Sequence, residues 1–387
     1  MRRSTIIHGI AALMALTLGP APASAASSAA AVTDCPLRDM PFSLGSPLID
    51  ILLSPAAHAV VESEAPGAIA KMPPMFRGTT APSFASILTL KDAGSFLRLN
   101  GAQLAAIDRK LKLLPVTASD RQARCARYDN DRPVFDLARG KPRILLFEKM
   151  TGYRDGPSVE AAHEAFFAMA KRKGWAIAAT DKGGAIHPKT LAQFDAVIWN
   201  NVSGDVLTLS QRKALQHFLK RGGGFVAVHG SAGDPATFWD WYADDLIGAR
   251  FAGHPMGPQF QDARIVVEDR EGPVGQGLPP EWTMKDEWYS FKNNPRASGS
   301  AIIATLDERS YSPRGMGGQD LRMGGDHPIA WTRCMGRGRV FYSAIGHRPE
   351  AYSDPAYVKM LENAVGWSAK GRQDGCTGSA SGATGRD

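Results

Sequence analysis

Apolar positions change rhythm along this chain, and the change divides it. From residue 26 to 140 they recur at helical spacing in two stretches, Leu48 to Glu62 (LIDILLSPAAHAVVE) and Gln103 to Leu114 (QLAAIDRKLKLL), separated by Pro-rich connectors such as Pro73-Pro74. The pattern predicts a small helical module with linkers over 26–140. Ala26 to Ala31 reads as a flexible leader. His58, set among alanines in the first helix, reads as a core or surface histidine.

From residue 141 to 370 continuous apolar runs alternate with amphipathic segments. Arg143 to Glu148 (RILLFE), Trp175 to Thr180, Asp195 to Asn200 (DAVIWN) and Gly224 to His229 read as strands, with Ser158 to Lys173 and Leu209 to Arg221 as helices between them. Strands apolar at nearly every position must be covered on both sides. That predicts an α/β fold, a mostly parallel sheet with helices on both faces. Ala263 to Glu268, Ala301 to Leu306, Ile329 to Thr332 and Arg339 to Ala344 add strands, and Pro355 to Ser368 a closing helix. Ligands of such sheets bind beyond the carboxyl ends of the strands, here the loops after Glu148, Asn200 and His229. Residues 371–387, rich in Gly, Ser and Thr, read as a disordered tail unless Cys376 tethers them.

Composition narrows this little, the ends of the chain more. With 387 residues, 44% hydrophobic and 21% charged, the chain can bury a sizeable core, which excludes global disorder, collagen and a coiled coil. Residues 1–25 have the layout of an export signal: Arg2-Arg3, an apolar stretch from Ile6 to Leu18, and Ala23-Ser24-Ala25 as cleavage site. An apolar stretch of ~13 residues is too short to cross about 30 Å of hydrocarbon as a helix. The expectation is a periplasmic or secreted protein with no membrane attachment after cleavage. Loss of Arg2 and Arg3 lowers the formal charge from +7 to +5, and no Lys/Arg run is dense enough for a nucleic-acid footprint. The four cysteines, Cys35, Cys125, Cys334 and Cys376, contain no C-x-x-C pair, so a thiolate zinc site is not expected. Grouping by position favours Cys35–Cys125 and Cys334–Cys376, with other pairings and free buried thiols as the alternatives.

The candidate chemistry lies in histidines at turns. His229 ends a strand before Gly230, His254 stands in Gly-His-Pro, His327 in Asp-His-Pro, and His347 follows Gly346 at a strand end. Gly and Pro beside an imidazole fix a turn and leave the ring uncrowded, which suits an acid–base group or a metal ligand. Independent surface histidines are the alternative, and His187, also before a proline, shows that the pattern is not selective. His163 and His217 fall within helices and read as solvated. A second cluster, Asp286-Glu287-Trp288-Tyr289, joins two carboxylates to two aromatics. Such a set can bind a sugar, acids accepting from hydroxyls and a ring covering the apolar face, or it can be an amphipathic strand with core aromatics. The dinucleotide fingerprint, the G-x-x-x-x-G-K-[ST] phosphate loop and the G-x-S-x-G elbow are all missing. Gly222-Gly223-Gly224 precedes its strand, and His229 stands two positions before Ser231.

Taken together and in order, the motifs GGGFVAVHGSAG (Gly222 to Gly233), GARFAGHP (Gly248 to Pro255), DEWYSFKNNPR (Asp286 to Arg296), TLDERSY (Thr305 to Tyr311), DHPIAW (Asp326 to Trp331) and GRVFYSAIGH (Gly338 to His347) carry a resemblance. Residues 141–370 resemble the trehalose-utilisation (ThuA-like) family, a branch of the class I glutamine-amidotransferase-like fold. The resemblance implies a flavodoxin-like sheet with His229 at the strand-to-helix turn where amidotransferases carry a nucleophilic Cys. His347 with Arg348-Pro349-Glu350 resembles their His-Pro-Glu element. Without a thiol at that turn no thioester can form, so amidotransfer is excluded. Asp155, after Gly152-Tyr153-Arg154, departs from the histidine of many family members. The family's association with trehalose, related disaccharides and keto-sugars implies an exported carbohydrate-active enzyme, a hydrolase or isomerase, using acid–base chemistry or a divalent metal such as zinc. The catalytic candidates are His229, His254, His347 and Glu287, and the three histidines are also the metal candidates. Asp286, Trp288, Tyr289, His327 and Tyr153 are the substrate-binding candidates, and the partner expected is a small-molecule carbohydrate. The alternatives are a non-catalytic sugar-binding module, or a scaffold that docks a protein partner through the N-terminal helices.

Overall fold

Pro55 decides how the chain begins to fold. The helical pattern of Leu48 to Glu62 becomes two helices, α1 (Leu48–Leu53) and α2 (Pro55–Glu64), because proline has no N–H to continue the first and is preorganised to start the second. Ser54 Oγ accepts the Ala57 N–H and caps α2. After α3 (Ala68–Lys71), the helices α4 (Leu90–Ala93), α5 (Gly101–Leu111) and α6 (Ala118–Cys125) each open with a reciprocal capping box, Thr89 with Asp92, Asn100 with Gln103, and Thr117 with Asp120. The helices α1 to α5 share an apolar core that includes Leu48, Ile51, Val61, Leu90, Ile107 and Leu111, and Cys125 of α6 packs with Cys35 and Tyr128.

This computed structural model describes residues 32–233, 238–374 and 376. The export signal read at 1–25, the leader and the end of the tail lie outside the described residues. The described residues form one compact unit, and several contacts join the helices to the sheet. Ser83 N–H donates to Thr151 O at 3.0 Å, and Phe84 stacks on Tyr153 with ring centroids 4.7 Å apart. The Tyr128 hydroxyl donates to Asp205, which also holds Arg212.

Among the described residues the sheet has nine strands in the order β2-β1-β3-β4-β11-β10-β9-β6-β7. β1 (Arg143–Phe147), β2 (Ala176–Thr180), β3 (Ala196–Asn200), β4 (Gly224–Val228) and β11 (Gly338–Ser343) pair in parallel. Their crossovers carry α7 (Gly156–Lys173), α8 (Pro188–Leu191) and α9 (Leu209–Lys220). Counted along the parallel part, the order is the 2-1-3-4-5 of flavodoxin-like folds. Every residue of β3 and β4 is buried, as strands covered on both faces require.

Between β4 and β11 the chain inserts a π-helical segment (Trp241–Ile247) and six strands. β5 (Phe251–Gly253) and β8 (Ser290–Phe291) form a small ribbon. β6 (Phe260–Val267), β7 (Glu281–Glu287), β9 (Ala301–Asp307) and β10 (Pro328–Met335) extend the main sheet in antiparallel pairing. The sheet is therefore parallel on one side and antiparallel on the other. α10 (Pro355–Ser368) packs beside β4 and β11, and α11 (Gly371–Asp374) makes the start of the expected tail helical. All four cysteines pair, Cys35 with Cys125 and Cys334 with Cys376, as their positions suggested. Among the described residues no helix is long and apolar enough to cross a membrane.

Candidate active site

His229 follows the last residue of β4 and bends the chain sharply, with φ of +40°. A side chain in that region costs about 1–3 kcal/mol and persists only where its surroundings impose it. Here they do. The His229 carbonyl accepts from Tyr342 Oη, Gly230 N–H donates to Asn201 Oδ1, and Ser231 Oγ donates to Trp199 O while accepting the Val202 N–H. The ring is held too. Nδ1 lies 2.8 Å from Ala344 O, and because a carbonyl only accepts, Nδ1 carries the proton. Tyr289 packs against the imidazole with centroids 4.1 Å apart.

Asp286 brings the second half of the site into place. Its fully buried carboxylate accepts the backbone N–H groups of Gly346, His347, Arg348 and Glu287 at 2.7 to 3.1 Å, tying the end of β7 to the turn after β11. Burial pushes its carboxyl up, against the pull of His229 and of these donors. Gly346 has φ of +129°, and a Cβ there would collide with the Tyr352 hydroxyl, so the turn requires glycine. Glu287, next in the chain, consequently points at the histidines.

Three histidines meet the Glu287 carboxylate. Oε2 is 3.1 Å from His347 Nδ1 and 3.3 Å from His229 Nε2, and those two nitrogens are 3.0 Å apart. Oε1 is 3.1 Å from His254 Nδ1 and accepts from Gln259 Nε2. Burial alone would favour the neutral acid. The surrounding imidazoles, His229 and His347 ahead of His254, outweigh it and hold Glu287 well below the usual carboxylate range. Burial likewise lowers His347, but Glu287, Asp155 and Asp286 outweigh it and raise its pKa above the ordinary imidazole value. His347 Nε2 faces Asp155 Oδ2 at 3.8 Å. Among the described residues, His229, Glu287 and His347 have ligand atoms close enough together to hold one metal ion. His254 is not in that group, because it contacts the other carboxylate oxygen.

The remaining candidates divide. Tyr153 is exposed above the loop that also carries Asp155, and Tyr289 lines the His229 ring. Trp288 is fully enclosed, its Nε1 donating to Gln261 O. Asp286 is occupied by backbone donors. His327 is enclosed as well, between Glu308, Tyr311 and the Tyr289 carbonyl. These three are fully buried and engaged by protein groups. Glu350 is exposed and pairs with Arg348, so Glu287 and not Glu350 is the carboxylate beside His347. His163, expected to be solvated, lies 3.1 Å from both oxygens of Glu148, which also accepts from Asn200 Nδ2. Glu148, His163, Arg154 and Glu160 border a cleft of about 270 Å³ above the β1 end. Asn201 and Gln259 were not anticipated. A polar pair closing an apolar strand was the available signal for Asn201; Gln259 has none.

The strand order and a strained turn over the parallel edge define a flavodoxin-like α/β protein whose elbow position carries a histidine, with every cysteine engaged in a disulfide. The model of the trehalose utilisation (ThuA) family matches residues 143–368, more than half of the chain, and the chain belongs to that family. A solved ThuA-like protein from Bacteroides uniformis ATCC 8492 is 24% identical with a TM-score of 0.51, covering 62% of this chain and 95% of its own. Another from Parabacteroides merdae ATCC 43184 is 16% identical with a TM-score of 0.45, covering 60% of this chain and 91% of its own. No curated protein matches the chain.

Proposed function

We propose that this protein is an exported enzyme of carbohydrate breakdown, acting on trehalose, a related disaccharide or a keto-sugar derived from one by acid–base chemistry. The observation that carries the reading is the convergence of His229, His254 and His347 on one buried carboxylate. Glu287 stays anionic and favours the protonated His347, whose partly exposed Nε2 side faces Asp155 and can deliver a proton to a leaving oxygen. His229 lies behind it, its Nε2 3.0 Å from His347 Nδ1, and with Glu287 it holds the Nδ1 proton in place. The emptied His347 Nε2 takes a proton back from the attacking water whose oxygen replaces the leaving group. Tyr153 and the cleft bordered by Glu148, Arg154 and Glu160 supply hydroxyl partners for a sugar. The family's association with trehalose utilisation supports the substrate class. The signal-like residues 1–25 and the two disulfides support export to the periplasm or medium.

The test is turnover of trehalose and its keto derivative by purified protein, with products read by mass spectrometry, in wild type and His229→Ala. The variant should lose about 100-fold or more in turnover, as expected of an acid–base group, with sugar binding nearly retained. Persistent turnover in the variant would sink the catalytic assignment. Binding without turnover in wild type would leave a sugar-binding module.

A further inference from the structure

We propose that His229 Nε2, His347 Nδ1 and Glu287 Oε2 together bind one divalent transition-metal ion per chain. The ion would take the place of the proton on His347 Nδ1, so the inference rests on the site and substrate class of the proposed function and replaces its proton with a cation.

Proton accounting comes first. The carbonyl of Ala344 requires a His229 proton on Nδ1, so in the neutral imidazole Nε2 presents a lone pair to the interior. Glu287 Oε2 also has only lone pairs, and it stands 3.3 Å away. Both side chains are almost wholly buried, at 4% and 2% exposure, where no bulk water relieves the repulsion. One N–H, on His347 Nδ1, faces both acceptors and can serve only one of them well. A single proton on His347 Nδ1 is all that separates these lone pairs, and a cation in its place would meet all three atoms.

Its size is that of a coordination face. Ligands about 2.1 Å from a metal stand about 3.0 Å apart at right angles and about 3.4 Å apart at tetrahedral angles. The three sides measured here are 3.0, 3.1 and 3.3 Å. The outer groups fit as well. Metal-bound imidazoles donate their second N–H to a carbonyl or carboxylate, and ligating carboxylates accept from neighbours. His229 meets Ala344 O, His347 Nε2 faces Asp155, and Glu287 Oε1 is held by His254 and Gln259. Two imidazoles and one carboxylate suit Zn²⁺, Fe²⁺ or Co²⁺ and disfavour Mg²⁺ and Ca²⁺.

The experiment uses the mature protein without a His tag, stripped with chelator and titrated with Zn²⁺, and separately with Co²⁺, in the absence of sugar. Metal content and titration calorimetry should give one ion per chain, with a Co²⁺ visible band that Zn²⁺ displaces. His347→Ala and Glu287→Gln should lose the site, and His254→Ala should keep it with affinity reduced by roughly 10–100-fold. His347 lies in a turn and is partly exposed, so its variant is the safeguard should Glu287→Gln misfold; circular dichroism checks both. Stoichiometry well below one in wild type, or stoichiometric binding that survives both ligand substitutions, would overturn the proposal. Because no sugar is present, that failure leaves the acid–base reading standing. Conversely, bound metal without turnover would sink that reading alone.

Discussion

Replacing Glu287 by Gln keeps the shape of the side chain and removes its charge, so it isolates what the carboxylate does for the fold. In wild type the group is 2% exposed and meets His229, His347, His254 and Gln259. Breaking a buried ion pair from one side costs about 3–5 kcal/mol. Gln still offers one carbonyl acceptor, and His347 can release its proton at about 1.4 kcal/mol for each unit by which its pKa had been raised. The expected loss is therefore about 2–4 kcal/mol at pH 6, or about 4–8 °C in Tm at about 2 °C per kcal/mol for a unit of this size. The sign of the pH dependence follows from the two shifts. Glu287 is depressed below its ordinary 4.5, so its contribution is present above that value and fades as pH falls through the folded value. His347 is raised above 6.5, so its contribution is complete below 6.5 and fades as pH rises through the folded value. The difference between wild type and variant should thus be largest near pH 5 to 6 and shrink on both sides. Differential scanning fluorimetry at pH 3.5, 6 and 9 reads this directly. A shift of less than about 1 °C at pH 6, or an equal shift at all three values, would refute the account of a charged pair.

The remaining predictions concern how the site is held. Gly346→Ala should lose about 2–3 kcal/mol, since φ of +129° disfavours any side chain and the new methyl displaces Tyr352, and denaturant titration should show this together with a fall in turnover. Phe84→Ala removes the ring that backs Tyr153; the KM for the sugar should rise several-fold with kcat little changed, and an unchanged KM would remove the N-terminal helices from the site. Substituting Cys35 and Cys125 by Ser opens a loop of 90 residues and should cost up to about 4–5 kcal/mol of unfolding free energy, read by denaturant titration, with the reduced wild type falling at least as far.

The parallel half of the sheet was legible because its strands are apolar at nearly every position and its helices are capped and amphipathic, properties that local sequence carries. His229, His254, His347 and Glu287 were legible as candidates for a similar local reason, a titratable group next to Gly, Pro or a strand end. The break at Ser54-Pro55 is carried by proline's missing N–H, although the helical rhythm runs through it on both sides.

What the letters did not carry was distance. Glu287 lies 58 positions from His229 and 60 from His347, and only the insertion between β4 and β11 carries β7 around to the shared edge. Asp286 shows the same limit. As a residue type it suits a sugar hydroxyl, and only in the fold do four backbone N–H groups claim its oxygens and turn it into the clasp that aims Glu287. That Trp288 and His327 are fully buried was equally out of reach, because burial is a property of the packed chain. The sequence by itself determined the family, the alternation of strands and helices and the residue types capable of proton transfer, since these depend on side-chain chemistry and on neighbours along the chain. The tertiary structure alone decided which of those residues meet, because hydrogen bonds and charge pairs act over about 3 Å of space whatever the separation along the chain.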